Sequence, residues 1–193
     1  LAWTTTPWTL PSNSFLAVWP GIKYVLVFDK SSQEYYVVAE NMLSKYYKNK
    51  DEYLLINKFS WEDMKWIFYK PLFEYINQSD ISDEYKEQYF QIILWDFVST
   101  EDGTGIVHIA PSFGQEDFEV VANIFPRENA KDWLFLPVDD YGEFTDEVGD
   151  YEWIVVYDAN KDIVQRLKNE RKLIFQQSYT HSYPHCWRCH APL

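Results

Sequence analysis

Short apolar runs along the chain predict β-strands. Residues 23–29 and 34–39 are rich in Val, Tyr and Phe, and the polar stretch between them predicts a hairpin turn. Residues 53–59 form a further apolar run and predict another strand. Runs at 133–138 and 173–179 predict two more short strands. A sheet is therefore expected at the centre of the fold.

Other segments carry the apolar spacing of helices. Residues 115–125 and 159–173 repeat apolar side chains every three or four positions, which predicts two amphipathic helices. Residues 40–48 predict a shorter helical segment. Ser60 followed by Asp63 predicts a capped helix start.

The middle of the chain predicts a second hairpin. Residues 88–98 are dense in aromatic and β-branched side chains, a turn sequence follows at 101–103, and residues 105–110 form the next apolar run. The order of elements favours a mixed, largely antiparallel sheet over alternating strands and helices. We therefore expect an α+β fold, mainly β, arranged as a distorted antiparallel β-barrel with peripheral helices.

Composition narrows the class of protein. The 193 residues are 47% apolar, enough for one domain with a sizeable core. The formal net charge of -13 opposes autonomous nucleic-acid binding, which normally depends on a basic surface, so other domains would have to deliver any RNA. No run approaches the roughly 18 apolar residues of a membrane span. Only two cysteines occur, too close together to staple a secreted framework, which predicts a reducing, cytoplasmic location.

Three consecutive hydroxyls stand near the start of the chain. Residues 3–11 read Trp-Thr-Thr-Thr-Pro-Trp-Thr-Leu-Pro, and the prolines predict a stiff loop. Such a loop can hold hydroxyls that donate to a carbonyl or a ribose and accept from a water. The alternative interpretation is a strand edge that uses threonine for its β propensity.

A second motif occupies residues 103–117, which read Gly-Thr-Gly-Ile-Val-His-Ile-Ala-Pro-Ser-Phe-Gly-Gln-Glu-Asp. The glycines allow backbone to approach a ligand closely, and a strand carrying His108 leads through a loop to a helix start carrying Asp117. The helix dipole alone would explain that carboxylate, and a lone histidine after a strand is usually structural. Together they offer an imidazole and an anion at the mouth of a sheet, where a carboxylate suits an α-ammonium group.

Both motifs, in this order, resemble the signature peptides of the editing domain inserted into isoleucyl-, valyl- and leucyl-tRNA synthetases. The segments 135–145 and 158–160 strengthen the resemblance, and the ending, 182–193, is most similar to the isoleucine member. Residues 45–87 resemble a helical expansion of the eukaryotic cytosolic enzymes. The resemblance implies that residues 1–193 are a single editing domain cut from a larger synthetase.

The resemblance implies a hydrolase that releases misattached valine from isoleucine tRNA, with the aminoacyl adenylate left open as a second substrate. It implies that Asp117 binds the α-ammonium of the amino acid and that His108 lines the pocket and helps to hold the terminal adenosine. Catalytic roles are implied for Thr5, Thr6, His108 and Asp117. Substrate contacts are implied for Trp3, Thr4, Gly105, Ile106, Ser112 and Phe113. Some members of the family carry a second histidine where this chain has Phe113.

The resemblance also implies partners and cofactors. The expected partners are the acceptor end of tRNA(Ile) carrying valine and the remainder of the synthetase, with no membrane and a monomeric state. No cofactor is expected in this domain. Cys186 and Cys189 form one CxxC, half of a four-ligand zinc site, which would need ligands from outside the chain. The alternative for this pair is a reduced, uncoordinated state.

Two other functions stay open at this point. A valyl or leucyl editing domain would keep the fold and clear threonine or other residues, but the ending at 184–189 argues against it. A non-catalytic module that binds RNA or a protein partner is the second, and the joint presence of the two motifs argues against it.

Overall fold

The computed structural model describes residues 1–96, 98, 103–177 and 187–188. Six strands form two separate three-stranded sheets rather than one closed barrel in this part of the chain. The strands are β1 Phe15–Val18, β2 Tyr24–Asp29, β3 Glu34–Ala39, β4 Tyr53–Phe59, β5 Gln91–Leu94 and β6 Val107–Ile109. The mixed α and β composition is confirmed, and the expected barrel closure is not observed.

The first sheet has the order β3-β2-β4, with all pairs antiparallel. Its hairpin between β2 and β3 and its third strand β4 confirm three predicted strands. The turn is closed by the Asp29 carboxylate, which accepts backbone N–H bonds from Ser31 at 2.9 Å and Ser32 at 2.7 Å. Gln33 completes the turn with a φ of 59°. The turn is stabilised by residues close together in the chain, which is why the sequence could predict this hairpin.

The second sheet has the order β5-β1-β6 and corrects the predicted second hairpin. The strands β5 and β6 do not pair with each other: β1 lies between them, parallel to β5 and antiparallel to β6. The strand β1 was not predicted, because its four apolar residues form a short run soon after the proline-containing motif. This sheet is therefore mixed, and β1 brings the end of the first motif beside the second.

Seven α-helices lie around the sheets in the described ranges. They are α1 Leu43–Tyr46, α2 Trp61–Met64, α3 Tyr75–Gln78, α4 Asp83–Lys86, α5 Gln115–Val121, α6 Ala130–Trp133 and α7 Val156–Asn169. Short 3-10 helices occupy Pro7–Ser12, Glu40–Met42, Lys50–Glu52, Arg127–Asn129 and Asp146–Tyr151. The predicted helices at 115–125 and 159–173 are confirmed as α5 and α7.

The start of α2 and the end of α7 can be compared with the sequence predictions. The capping box at the start of α2 is confirmed, since the Asp63 carboxylate accepts the Ser60 backbone N–H at 2.8 Å. The helix α7 ends at Asn169, and residues 173–177 have no regular structure. The strand predicted at 173–179 is therefore wrong over 173–177, and its last two residues lie outside the described part. The segment 45–87 combines the end of α1, all of β4 and three four-residue helices.

The strand predicted at 133–138 is also wrong. The helix α6 ends at Trp133, and Val138 forms only an isolated antiparallel bridge with Phe144. The ring of Trp133 is fully buried and stacks on Phe118 with centroids 5.5 Å apart. Burial of this ring in a helical turn outweighs the β propensity of the apolar run that follows it.

Aromatic side chains form the core beneath β1. Phe125 contacts the rings of Phe15, Tyr89 and Trp133 at centroid distances of 5.9, 5.7 and 5.8 Å. Burying such rings contributes about 1.5–3 kcal/mol each. This packing anchors the first residue of β1 and, with it, the two motifs on either side.

Among the described helices, none has the length and apolar character needed to cross a membrane.

Candidate functional site

The first motif lies directly against the second. The Trp3 backbone N–H donates to the Ile106 carbonyl at 3.1 Å, and Trp3 forms a parallel bridge with Val107. Residues 4–6, which we call the threonine loop, follow this bridge. The Thr6 backbone N–H donates to Thr4 Oγ1 at 3.0 Å, and Thr5 is exposed. The loop is thus tied by its own hydroxyl and leaves Thr5 open to solvent.

A 3-10 helix, Pro7–Ser12, carries the loop into the core. Pro7 stands at its start, where a missing N–H costs nothing, and its side chains from Trp8 onward are buried. The Trp8 backbone N–H donates to Asn160 Oδ1 of α7 at 2.9 Å. The structure therefore holds the threonine loop at both ends, at its start by β6 through Trp3 and at its exit by α7 through Trp8.

His108 is buried on β6 with both ring nitrogens engaged. Its Nε2 lies 3.0 Å from Thr9 Oγ1, and its Nδ1 lies 2.7 Å from Asn13 Nδ2. The Thr9 hydroxyl in turn donates to the Thr6 carbonyl at 2.9 Å, so the imidazole is linked to the threonine loop through one side chain. Burial lowers the pKa of His108 to about 4, which keeps the ring neutral near pH 7. It is arranged to orient groups rather than to carry a proton.

Asp117 lies in the first turn of α5 and closes the loop that precedes it. Its Oδ2 accepts the Ala110 backbone N–H at 2.8 Å. A Cβ added to Gly114 would lie 3.2 Å from the Asp117 Cγ, so the glycine makes room for the carboxylate. Burial, together with the nearby Glu116 charge, raises the pKa of Asp117 to about 6 despite the opposing hydrogen bond. Burial makes ionisation of this carboxylate unfavourable, and a bound cation would offset that cost. The carboxylate is therefore suited to bind a cation.

Aromatic rings join the loop of residues 110–114 to the first motif. The Trp8 ring meets Phe113 edge-on at a centroid distance of 4.7 Å and Tyr157 at 6.2 Å. Phe113 therefore packs on the first motif. Some members of the family that the sequence resembles are expected to carry histidine at this position. Both motifs and the start of α7 converge around Trp8.

Three residues predicted to contact substrate also serve the fold. Ser112 Oγ donates to the Phe135 carbonyl at 2.5 Å, and the Gly105 carbonyl accepts the Tyr24 hydroxyl at 2.8 Å. The Ile106 side chain belongs to the buried core. Their contact with a substrate stays a prediction, and the backbone of 105–106 is the part that lies next to Trp3.

Sequence reasoning missed three polar residues: Thr9 and Asn13, which bond to the His108 ring, and Tyr69, which bonds to Asn13. Thr9 and Asn13 are buried, and the Tyr69 hydroxyl donates to Asn13 Oδ1 at 2.6 Å. Polar residues at 12–14, directly before an apolar run, were the available signal for Asn13. Tyr69 gave none, because its partner is 56 positions away.

Two surface cavities lie away from the threonine loop, His108 and Asp117. One, of about 550 Å³, is lined by residues of α3, α7 and the segment 70–74, and the other, of about 510 Å³, by residues around Tyr46 and Phe175. Neither is lined by the threonine loop, His108 or Asp117 among the residues described. The candidate site is therefore assigned by its chemistry and not by the size of a cavity.

The predicted half zinc site falls outside the described residues, since Cys186 and Cys189 are not among them. Within the described ranges, no cluster of three or more His, Cys, Asp or Glu side chains could hold a metal ion. The role of the cysteine pair stays a prediction.

Gly103 provides a test of how the first motif is held. Its φ is 77°, and an added Cβ would lie 2.8 Å from the Trp3 Cγ. We expect Gly103→Ala to lower the free energy of unfolding in urea by about 2–3 kcal/mol, from left-handed strain plus the clash. Gly142→Ala has the same φ with an open Cβ position and should cost about 1 kcal/mol. Gly149→Ala should be near neutral. Equal losses at Gly103 and Gly142 would show that Trp3 does not pack as described.

Solved structures share this fold. The Plasmodium falciparum cytosolic leucyl-tRNA synthetase editing domain matches with a TM-score of 0.63 at 14% identity, over 88% of this chain and 76% of that one. The crystal structure of GlLeuRS-CP1 matches with a TM-score of 0.65 at 14% identity, over 93% and 84%. No protein-family profile matches the chain. The fold is that of a synthetase editing domain.

The sequence is similar to those of isoleucine–tRNA ligases. The isoleucine–tRNA ligase of Protochlamydia amoebophila is 44% identical over 195 residues, which cover all of this chain and 18% of the relative. That of Treponema pallidum is 40% identical over 198 residues, which cover all of this chain and 17% of the relative. The chain is similar over its whole length to isoleucine–tRNA ligases, and it spans less than a fifth of the length of the curated relatives it matches. Both matches include residues 45–87, so the eukaryotic likeness of that segment stays a prediction.

Proposed function

We propose that this chain is the editing domain of an isoleucine–tRNA ligase and hydrolyses the ester between misattached valine and tRNA(Ile). The observation that carries the proposal is the convergence of the two motifs: Trp3 bonds to Ile106, Thr9 to His108, and Trp8 packs on Phe113. This convergence supports one site containing the threonine loop and the loop closed by Asp117.

Asp117 is the proposed anchor of the substrate. Its carboxylate is half-buried and keeps one oxygen free of the Ala110 bond, so it can accept hydrogen bonds from an α-ammonium. The ammonium would in turn stabilise the ionised carboxylate and lower its pKa. Binding the amino group at one fixed point positions the ester carbonyl for attack.

The threonine loop is proposed to orient the attacking water and the ester. Water forms a bond to the ester carbonyl carbon, the bond from that carbon to the ribose oxygen breaks, and the proton of the water passes to that ribose oxygen. His108 is neutral and hydrogen-bonded at both nitrogens, so it does not act as the base. Positioning by Thr5 and Thr6, with the neighbouring ribose hydroxyl as proton carrier, accounts for the hydrolysis.

The proposed substrate follows from energetics. One methylene in an apolar pocket is worth about 1–3 kcal/mol, a figure established for isoleucyl-tRNA synthetases themselves against valine, and a second hydrolytic site removes the remaining errors. Valine would enter the site and isoleucine would be excluded by size. Phe113 is partly buried and packs on Trp8, so it supplies apolar surface next to the first motif.

The proposed partners are the acceptor end of tRNA(Ile) and the remainder of the synthetase, in the cytoplasm. With a net charge of -13, the chain depends on the other domains for affinity toward RNA. Zinc at Cys186 and Cys189 is proposed only with ligands supplied by those domains.

The selectivity of release tests the proposed function. The chain, alone and within its synthetase, is mixed with tRNA(Ile) charged with radiolabelled valine or isoleucine. We expect valine to be released at least about 10-fold faster than isoleucine, because the size of the site excludes one extra methylene. Equal release of both esters, or no release by the synthetase, would overturn the proposal. Preferential release of threonine from tRNA(Val) would favour the valyl alternative.

A further inference from the structure

A continuous series of hydrogen bonds crosses the core beside the candidate site. The Tyr69 hydroxyl bonds to Asn13 at 2.6 Å, Asn13 to His108 at 2.7 Å, His108 to Thr9 at 3.0 Å and Thr9 to the Thr6 carbonyl at 2.9 Å. We call these five residues the Tyr69–Thr6 network. It begins on a segment remote from both motifs and ends in the threonine loop.

The directions of these bonds are fixed by the partners. The Asn13 amide nitrogen also donates to the Phe15 carbonyl at 2.9 Å, and a carbonyl only accepts, so the NH2 group faces His108. His108 Nδ1 must then accept, which places the ring proton on Nε2. That N–H donates to Thr9 Oγ1, whose own hydroxyl hydrogen is given to the Thr6 carbonyl.

Tyr69 is held firmly at the start of the network. Its backbone N–H donates to the Phe90 carbonyl at 2.7 Å, and its ring meets Phe90 edge-on at 6.0 Å. Burial raises the pKa of Tyr69, so the hydroxyl stays protonated and donates to Asn13 Oδ1. Asn13 is 7% exposed, so without this donor its carbonyl oxygen would lie buried and unbonded.

We propose that Tyr69 is a positioning residue for the editing site: through Asn13 it holds His108 with the proton on Nε2, and His108 through Thr9 fixes the carbonyl of Thr6. Tyr69 touches no reacting atom. It sets the geometry of the threonine loop from the far side of the core. This inference rests on the proposed hydrolysis, because its consequence is a more ordered loop during attack.

The first measurement is nitrogen-15 NMR of the histidine side chains in the full chain, with His108 assigned by comparison with His108→Gln. We expect a neutral ring with the proton on Nε2 and slow exchange of that proton with solvent. Asn13→Asp presents a carboxylate to Nδ1 and should move the proton to Nδ1. A wild-type ring protonated on Nδ1 would overturn the proposed directions.

The second measurement compares Tyr69→Phe with a matched control. Tyr75→Phe removes a similar hydroxyl bond, to Asp150, from the same half of the chain. Tyr69→Phe should lower kcat for valine release from valyl-tRNA(Ile) by about 3- to 10-fold, the typical worth of one such bond, with KM unchanged. It should also speed exchange of the His108 Nε2 proton by at least about 3-fold. Tyr75→Phe should change neither.

Failure of the positioning role of Tyr69 and failure of the proposed hydrolysis give different results in these measurements. If both tyrosine variants give the same kcat and the same proton exchange, Tyr69 has no positioning role. If the wild-type chain within its synthetase releases no valine, the proposed function fails, and the NMR spectra still decide the bond directions. Circular dichroism and urea unfolding of both variants establish that each is folded before they are compared.

Discussion

Replacing Asp117 by asparagine is expected to lower kcat/KM for valine release by about 30- to 1000-fold. The variant keeps an oxygen that can accept the Ala110 backbone N–H, so the loop before α5 stays closed. It loses the negative charge that would pair with the substrate ammonium. Removing one partner of a buried charge pair costs about 2–4 kcal/mol, and each 1.4 kcal/mol is a factor of ten. Single-turnover deacylation of valyl-tRNA(Ile) measures the loss.

Glu116→Gln is the matched control for this variant, because Glu116 is an exposed carboxylate in the same helical turn. It should stay within about 2-fold of the wild type. Burial raises the pKa of Asp117 from 3.8 to about 6, so stability is lost as the pH rises through this interval, and the full loss is reached above about pH 6. Asp117→Asn should therefore be about 1–2 kcal/mol more stable than the wild type at pH 7 and not at pH 4. A variant that is folded and fully active would contradict the role of Asp117.

The pH dependence of kcat/KM is the second large expected effect. Asp117 must be ionised in the free enzyme to bind the ammonium, and its pKa is about 6. The rate should fall about tenfold for each pH unit below that value. It should also fall above roughly pH 8, where the α-ammonium loses its proton. Deacylation between pH 4.5 and 9, corrected for spontaneous ester hydrolysis, measures both limbs.

The acid limb distinguishes Asp117 from His108. The pKa of His108 is about 4, so the imidazole stays neutral over most of the measured range and contributes no limb near pH 6. In Asp117→Asn the acid limb should be absent and the residual rate flat from pH 5 to 7. An unchanged acid limb in that variant would assign the titration to another group and contradict the proposed role.

The sequence predicted the local parts of the fold and missed the long-range ones. The hairpin of β2 and β3, the capped start of α2 and the helices α5 and α7 depend on turn chemistry and periodicity within a few residues. The wrong hairpin of β5 and β6 has a different cause. A strand from the start of the chain inserts between them, and pairing between residues 76 or more positions apart leaves no local pattern.

The candidate site divides in the same way. The threonine loop, His108 and Asp117 stand in two compact motifs, so residue type and spacing were enough to single them out. Tyr69 and Asn13 join the site only through hydrogen bonds across 56 and 95 positions. The burial that lowers the pKa of His108 and raises that of Asp117 is likewise a property of the folded chain. The sequence therefore predicted which groups could act, and the structure indicates which of them carry charge.

In the proposed site, the Asp117 carboxylate and the threonine loop bind the same ligand. A crystal structure of the chain with valyl-adenosine in which an amide replaces the ester tests this arrangement. We expect the ligand ammonium about 3 Å from an Asp117 carboxylate oxygen, with the carbonyl of the amide beside Thr5 and Thr6. An ammonium bound away from Asp117, or a carbonyl remote from the threonine loop, would contradict it.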